Sequence, residues 1–168
     1  MATLKLNSYE LFTQSENNKP EFGAGVPSGV IVQVKHNYFS TYWNPGTVTV
    51  NTETAIGLSL SFTPKFNTSE ILVSVDLDGL TNEADNAYSG FRLYRDNTLL
   101  RNFGYPWMWS SVDNANNPTM SCKFIDTPGT TDTFIYDIRH FQWNGSSAPD
   151  VNRDEYAMST IIAMEIAA

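Results

Sequence analysis

The chain offers few residues from which a catalytic centre could be assembled. His36 and His140 are its only imidazoles. Neither sits in a His-Glu-x-x-His or Cys-x-x-Cys spacing that would bring metal ligands together. No Gly-x-Ser-x-Gly turn presents a serine nucleophile. A Ser-His-Asp triad meets only in space and leaves no spacing to read, yet no other feature invites one. The expectation is a protein without enzymatic activity. Asp76-Leu77-Asp78-Gly79, followed by Glu83 and Asp85, gathers four carboxylates around a glycine. Hard oxygen clusters of that kind can hold Ca²⁺. The spacing departs from an EF-hand loop, and Asp at strand ends more commonly builds turns, so no cofactor is expected and calcium stands as the minor reading.

Aromatic residues are the other chemically informative group. Tyr105-Pro106-Trp107-Met108-Trp109 concentrates three rings beside a proline, and Tyr42-Trp43-Asn44-Pro45-Gly46 and Gln142-Trp143-Asn144-Gly145 place further tryptophans among turn formers. Such side chains anchor protein interfaces or stack on sugar rings. Trp43, Tyr105, Trp107, Trp109 and Trp143 are therefore candidate contacts, with three uses open: packing within the subunit, contact between subunits, or binding of a surface glycan.

The elements that position these residues read as β-strands. From residue 30 onward, short runs alternate apolar and polar residues between Gly, Pro, Asn and Asp clusters, and no helical period is sustained. Val30, Val32 and Val34 alternate with Ile31, Gln33 and Lys35; Ile56, Leu58, Leu60 and Phe62 with Gly57, Ser59 and Ser61; Ile71, Val73, Val75 and Leu77 with Leu72, Ser74, Asp76 and Asp78. Phe91 and Leu93 lead to Arg95-Asp96-Asn97-Thr98, where Asp-Asn fits the centre of a two-residue hairpin turn. Met120, Cys122 and Phe124, then Phe134, Tyr136 and Ile138, predict another antiparallel pair. Tyr156, Met158, Thr160, Ile162, Met164 and Ile166, alternating with small or polar partners, predict a well-paired terminal strand in the centre of a sheet. Eight or so strands without a βαβ pattern predict an all-β, antiparallel two-sheet sandwich of the jelly-roll kind.

Residues 1–29 differ from the remainder. Leu4, Leu6, Tyr9, Leu11 and Phe12 are too many apolar groups for a disordered tag, and Gly23-Ala24-Gly25-Val26-Pro27-Ser28-Gly29 closes the segment. The division is an N-terminal attachment arm with a hinge over 1–29 and a sandwich body over 30–168. The arm either docks on a partner or folds back on its own body.

Composition narrows the choice of partners. Among 168 residues, 41% are apolar and 13% aromatic, enough for one core without disulfides, while only 17% are charged. The net charge of −8 repels phosphate backbones and anionic headgroups, arguing against nucleic acid and membrane surfaces. Cys122, the lone cysteine, reads as an inward-facing small hydrophobe. No basic stretch followed by an apolar run opens the sequence and no segment is apolar enough to span a bilayer, so synthesis in a cytoplasm without a signal peptide is expected.

The motifs Gly29-Val30-Ile31-Val32-Gln33-Val34, Gly57-Leu58-Ser59-Leu60-Ser61-Phe62-Thr63-Pro64-Lys65, Ser69-Glu70-Ile71-Leu72-Val73, Gly90-Phe91-Arg92-Leu93-Tyr94-Arg95 and Ser159-Thr160-Ile161-Ile162-Ala163-Met164-Glu165-Ile166 together resemble small virion structural or fibre proteins of tailed bacteriophages, especially those of aquatic bacteria. The likeness covers most of 26–168, and the Met-Ala-Thr-Leu-Lys-Leu-Asn opening also resembles such proteins. The resemblance implies a β-sandwich, a homotrimer, attachment to another virion protein through the N-terminal segment, and a place on the virion surface as head decoration or fibre. The Trp-rich middle departs from the commonest pattern. The alternative function is a free, lectin-like carbohydrate-binding sandwich.

Overall fold

A computed structural model describes residues 3–14, 20–81, 88–104, 119–145 and 148–168. Every regular element among them is a β-strand. The leading segment forms a meander of β1 (Thr3–Leu6), β2 (Tyr9–Gln14) and β3 (Pro20–Phe22). The body comprises β4 (Ile31–Phe39), β5 (Glu53–Phe62), β6 (Glu70–Leu77), β7 (Tyr88–Arg95), β8 (Thr98–Phe103), β9 (Met120–Asp126), β10 (Phe134–Asn144) and β11 (Ser159–Ile166).

Body pairings are nested: β4 with β11, β5 with β10, β6 with β9 and β7 with β8, all antiparallel. The chain is thus one long hairpin, bent at the β7–β8 turn and wrapped over itself. Wrapping inserts β11 between β4 and β6, and β10 between β5 and β7. Two four-stranded sheets result, β4-β11-β6-β9 and β5-β10-β7-β8, the eight-strand arrangement of a jelly roll. The turn at its apex is the one expected: Arg95 pairs with Thr98, and Asp96 takes φ 51°, a left-handed conformation that Asp and Asn tolerate better than other side chains. Asp96 is also stapled to β10, its N–H donating to the Ile135 carbonyl at 2.8 Å and its carboxylate accepting from the Ile135 N–H at 2.9 Å.

Inner faces of the two sheets supply one core with complementary shapes. Rings dominate one side, Phe62, Phe91, Phe134 and Tyr136; branched and small residues dominate the other, Ile71, Val73, Val75, Cys122, Ile161 and Ala163. Large residues facing small ones let the layers interdigitate at crystal-like density. Each large side chain removed fully from water contributes about 1.5–3 kcal/mol. Cys122 is core filler, and burial pushes its thiol pKa up, as expected of an inert interior thiol.

Three expectations require correction. On β11 the face that packs on the core is the alternate one: Ile161, Ala163 and Glu165 are buried, while Thr160, Ile162, Met164 and Ile166 lie on the other side and Tyr156 and Met158 are exposed ahead of the strand. Met120–Asp126 and Phe134–Asn144 do not pair: β9 joins β6 in one sheet and β10 joins β5 and β7 in the other, so 127–133 crosses between sheets. Alternation reports that one face is buried and leaves the neighbour unspecified. In β4, Val34 does not face the core. A register shift opposite Glu165 and Ile166 leaves Ile31 and Val34 on the same outer side, 50% and 52% exposed, while Gln33 turns inward to hydrogen-bond Glu165.

Polar groups inside the sandwich are paired with few exceptions. Glu165, fully buried on central β11, accepts hydrogen bonds from the Lys65 N–H (2.8 Å), the Phe66 N–H (3.0 Å), the Ser69 hydroxyl (2.7 Å) and Gln33. One carboxylate thereby ties the 63–69 turn to the sheet. Asp126 on β9 takes both oxygens to Arg95 of β7, at 2.7 and 2.8 Å, and accepts from the Tyr136 hydroxyl of β10 at 2.8 Å. This clamp joins the sheets across the core. Burial, reinforced by the hydrogen bond to Asp126, raises the Tyr136 pKa far above its ordinary value.

Candidate interaction surfaces

The residues with catalytic potential are kept apart. His36 lies exposed on edge strand β4, opposite Ile162, whereas His140 is fully buried on β10 in the other sheet. The His140 ring packs 5.8 Å from Trp43 and 5.9 Å from Phe91, and neither of its nitrogens makes a hydrogen bond. Burial lowers its pKa to about 4, against a smaller opposing pull from the Gln142 side chain. No carboxylate orients it. A general base needs reach to a substrate and an orienting partner, and His140 has neither.

Asp76 lies within β6, outside the expected loop, where it accepts from the Ser121 hydroxyl of β9. Asp78 is engaged by the Gly79 N–H at 2.9 Å and the Thr119 hydroxyl at 2.9 Å. Glu83 and Asp85 fall outside the described residues. Among those described, no three His, Cys, Asp or Glu side chains converge as a metal site would require.

The aromatic candidates separate in the same way. Trp43 is partly buried, bridges its backbone to Val151 at 2.9 Å and packs on the core. Trp143, also partly buried, meets Phe141 edge-on at 4.6 Å. Tyr105, Trp107 and Trp109 lie outside the described residues.

The two outward faces of the sandwich differ sharply. On β5-β10-β7-β8, charged groups form a lattice. The Arg92 guanidinium lies 3.5 Å over the Phe141 ring, donates to Asn102 at 2.8 Å and pairs with Glu53; Arg139 lies 4.1 Å over Tyr94 and donates to Asp137 at 2.6 Å. Partial burial works against Glu53 ionisation, but hydrogen bonds from Tyr94 and Arg92 and the charges of Arg92 and Arg139 outweigh it, so its pKa is lowered. Arg139 is raised, chiefly by its bond to Asp137. Ile135 and Leu99 are the exposed large apolar residues on this face, 47% and 40%.

The outer face of β4-β11-β6-β9 carries few such groups at one end. Register sets Val34, Met164, Leu72 and Ile125 in one row across all four strands; on one side Ile31 and Ile166 share a row with Glu70, and on the other Ile162 stands between His36 and Ser74, with Lys123 beyond. Val34 and Ile125 are each about half exposed, at 52% and 53%. Towards the other end the rows become polar, Tyr38-Thr160-Asp76-Ser121. None of these apolar residues was singled out from sequence as a contact, although Ile71-Leu72 and Ile161-Ile162 carried the signal: adjacent apolar residues on one strand imply that both faces are covered.

Every arm candidate belongs to the meander. Leu4 of β1, Phe12 of β2 and Phe22 of β3 stand opposite one another, the two rings 5.1 Å apart, while Leu6 pairs with Tyr9. Leu4, Leu6 and Tyr9 are each at least 60% exposed; Leu11, at the register shift, is half-buried. Among the described residues, the principal contacts of the meander strands are with one another. Gly23 and Gly25 extend this unit, their N–H groups donating to the Leu11 and Glu10 carbonyls at 3.0 Å; a Cβ at Gly23 would come 2.4 Å from the Glu10 oxygen. The body takes over at Gly29, whose N–H donates to the Ala167 carbonyl at 2.7 Å. Only 26–28 connect the two, about 10 Å of chain.

No family model matches the sequence, and no curated protein does. Among solved structures, a chain from the structure of infectious bursal disease virus, Gx strain, superposes with TM-score 0.51 at 12% identity, covering 95% of this chain and 38% of that one. The likeness is one of fold. A chain of the infectious bursal disease virus VP2 subviral particle gives TM-score 0.49 at 8% identity, covering 82% of this chain and 34% of that one. This chain spans little more than a third of the length of either.

Proposed function

We propose that this protein is a non-enzymatic structural component of a virus particle, a jelly-roll body displayed at the surface and held there by its leading segment. The observation that carries the reading is the excess of exposed apolar side chains on the meander, Leu4, Leu6 and Tyr9 at 60% or more with Phe12 at 38%, set on a short link to the sandwich. An apolar surface exposed in this way is an interaction site by default. The likeness in fold to a chain from a structure of infectious bursal disease virus supports the virion context, and the sequence resemblance to tailed-phage proteins narrows it to a head decoration or fibre.

In this reading Leu4, Leu6, Tyr9, Leu11 and Phe12 bury against a neighbouring virion protein, and three associated copies engage together. Linking three modest attachments converts each later binding event into an intramolecular one and makes attachment lasting. The charged outer face of β5-β10-β7-β8 is the side left to solvent or to the host surface. Removing 1–29 is the test. The remaining body should stay folded and soluble, because its core contains nothing from the meander, yet should no longer join particles. Undiminished incorporation of the truncated chain would overturn the anchoring role.

A further inference from the structure

We infer that the free edge of β9 takes up an extended segment of a partner protein as an added strand, one that alternates acidic and apolar residues. Two four-stranded sheets leave four edge strands, β4, β9, β5 and β8, and the backbone N–H and C=O groups along such edges pair readily with further strands. Three of the four are interrupted. The β4 ladder skips Val32 opposite Glu165 and Ile166, the β5 ladder breaks between Ala55 and Ser59, and the β8 ladder shifts at Leu100. Irregularities of this kind twist an edge and end pairing. β4 and β5 also shield each other, Asn37 donating to the Ser59 carbonyl and Gln33 to the Thr63 carbonyl, both at 2.8 Å. β9 differs: all seven of its residues, Met120 to Asp126, pair with β6 in unbroken register. Among the described residues no strand lies on its other side. A regular ladder with one side open is the template that strand addition uses.

Charge selects the partner. Lys123, at the middle of β9, stands on the outer side opposite Ser74. Arg101 of β8 pairs with Leu93 on the core-facing side and reaches the margin beside Cys122, whose thiol feels its charge. The two cations line one hollow of ≈ 500 Å³ together with Asn102, Phe103 and Ser121, and among the described residues no carboxylate lines it. Neither cation has a carboxylate partner among the described residues, whereas Arg92, Arg95 and Arg139 are each paired. Asp76, two residues along β6 from Ser74, accepts from the Ser121 hydroxyl. In a chain of net charge −8, an edge with unpaired positive charge favours an anionic strand and rejects a basic one. Neighbours of opposite charge across a ladder stabilise it, and like charges opposite each other weaken it. The same rule disfavours a second copy, since β9 paired antiparallel with itself about its midpoint sets Lys123 against Lys123. Successive side chains of an added strand point to opposite faces. Those on the outer side meet Lys123 and suit carboxylates. Those on the inner side extend the core past Met120 and Phe124, which are only partly buried at its margin, and suit apolar groups.

The test is a fluorescence-anisotropy titration of the purified full chain into a labelled seven-residue peptide that alternates glutamate with valine. Further probes are the same peptide with lysine for glutamate, and two forms of the glutamate peptide methylated on one or the other set of alternate backbone amides. The glutamate peptide should bind saturably and slow amide hydrogen exchange over 120–126, and the lysine peptide should not bind. One of the two methylated peptides should lose binding, because only alternate amides face the neighbouring strand. Lys123→Glu should weaken binding roughly fivefold or more, Arg101→Glu should act in the same direction, and Lys5→Glu on the meander should leave binding unchanged. If Lys123→Glu lowers the melting temperature, Lys123→Gln takes its place and should weaken binding in the same direction. No binding of the glutamate peptide, undiminished binding of both methylated peptides, or binding indifferent to position 123 would overturn the inference. Particles play no part in the measurement, so its outcome stands apart from that of the virion reading.

Discussion

Acidification from pH 7 to pH 5 should destabilise the protein through His140. The imidazole is fully buried, neither nitrogen is hydrogen-bonded, and burial lowers its pKa from the ordinary 6.5 to about 4. The unfolded chain therefore takes up a proton between pH 6.5 and 4 that the folded chain refuses, and stability falls as pH falls through that window. With those two values the loss is about 2 kcal/mol at pH 5 and about 3 kcal/mol at pH 4, a tenfold difference in proton affinity between the folded and unfolded chains being worth about 1.4 kcal/mol. Glu53, with its pKa lowered below the ordinary 4.5, loses its contribution only as pH drops through that lower range, outside the upper part of the window. His140→Phe removes the titration, keeps a ring between Trp43 and Phe91, and removes two unpaired polar atoms. Urea unfolding at pH 7, 6 and 5 should give a stability that declines for the native chain and stays nearly level for the variant. The same slope in both proteins, or a native chain equally stable at pH 7 and pH 5, would refute the reasoning.

Two other predictions concern buried polar groups. Glu165→Ala strands the Lys65 and Phe66 N–H groups and the Ser69 hydroxyl; unsatisfied buried donors cost about 1–3 kcal/mol each before relaxation, so thermal unfolding should drop by roughly 10 °C or more, with a fall of only a degree or two contradicting the assigned role. Asp126→Asn breaks the two-point pairing with Arg95 that joins the sheets, and should cost about 3 kcal/mol in chemical denaturation because it leaves a partly buried guanidinium unpaired; a change below about 0.5 kcal/mol, the range of ordinary surface substitutions, would show the clamp to be dispensable.

Much of the body was legible in the sequence. Two-residue alternation located the strands from Ile56 to Phe62 and from Ile71 to Leu77, turn chemistry gave the Asp96-Asn97 hairpin, and the terminal run is the central strand β11. Strand pairing was harder to read, since Phe134, Tyr136 and Ile138 would alternate identically beside β9 or beside β5. The β4 bulge was equally hidden: one extra residue moves Val34 to the outer face without changing composition. Lone buried polar residues left no local mark either. His140, Glu165 and Asp126 owe their roles to Trp43, Ser69 and Arg95 respectively, partners far along the chain that only the fold brings close. In the leading segment the excess of apolar side chains was visible in the sequence, but Phe22 joined Leu4 and Phe12 only through strand pairing.

The central claim is that the sandwich core is complete without the meander, which the proposed function assigns to contact with another virion protein. A density map of the native assembly carrying this protein tests it most directly. The account predicts residues 3–22 seated against another virion protein, with Leu4, Phe12 and Phe22 at the contact and the charged β5-β10-β7-β8 face outward. A map with the meander surrounded by solvent and the charged face buried against the particle would contradict it.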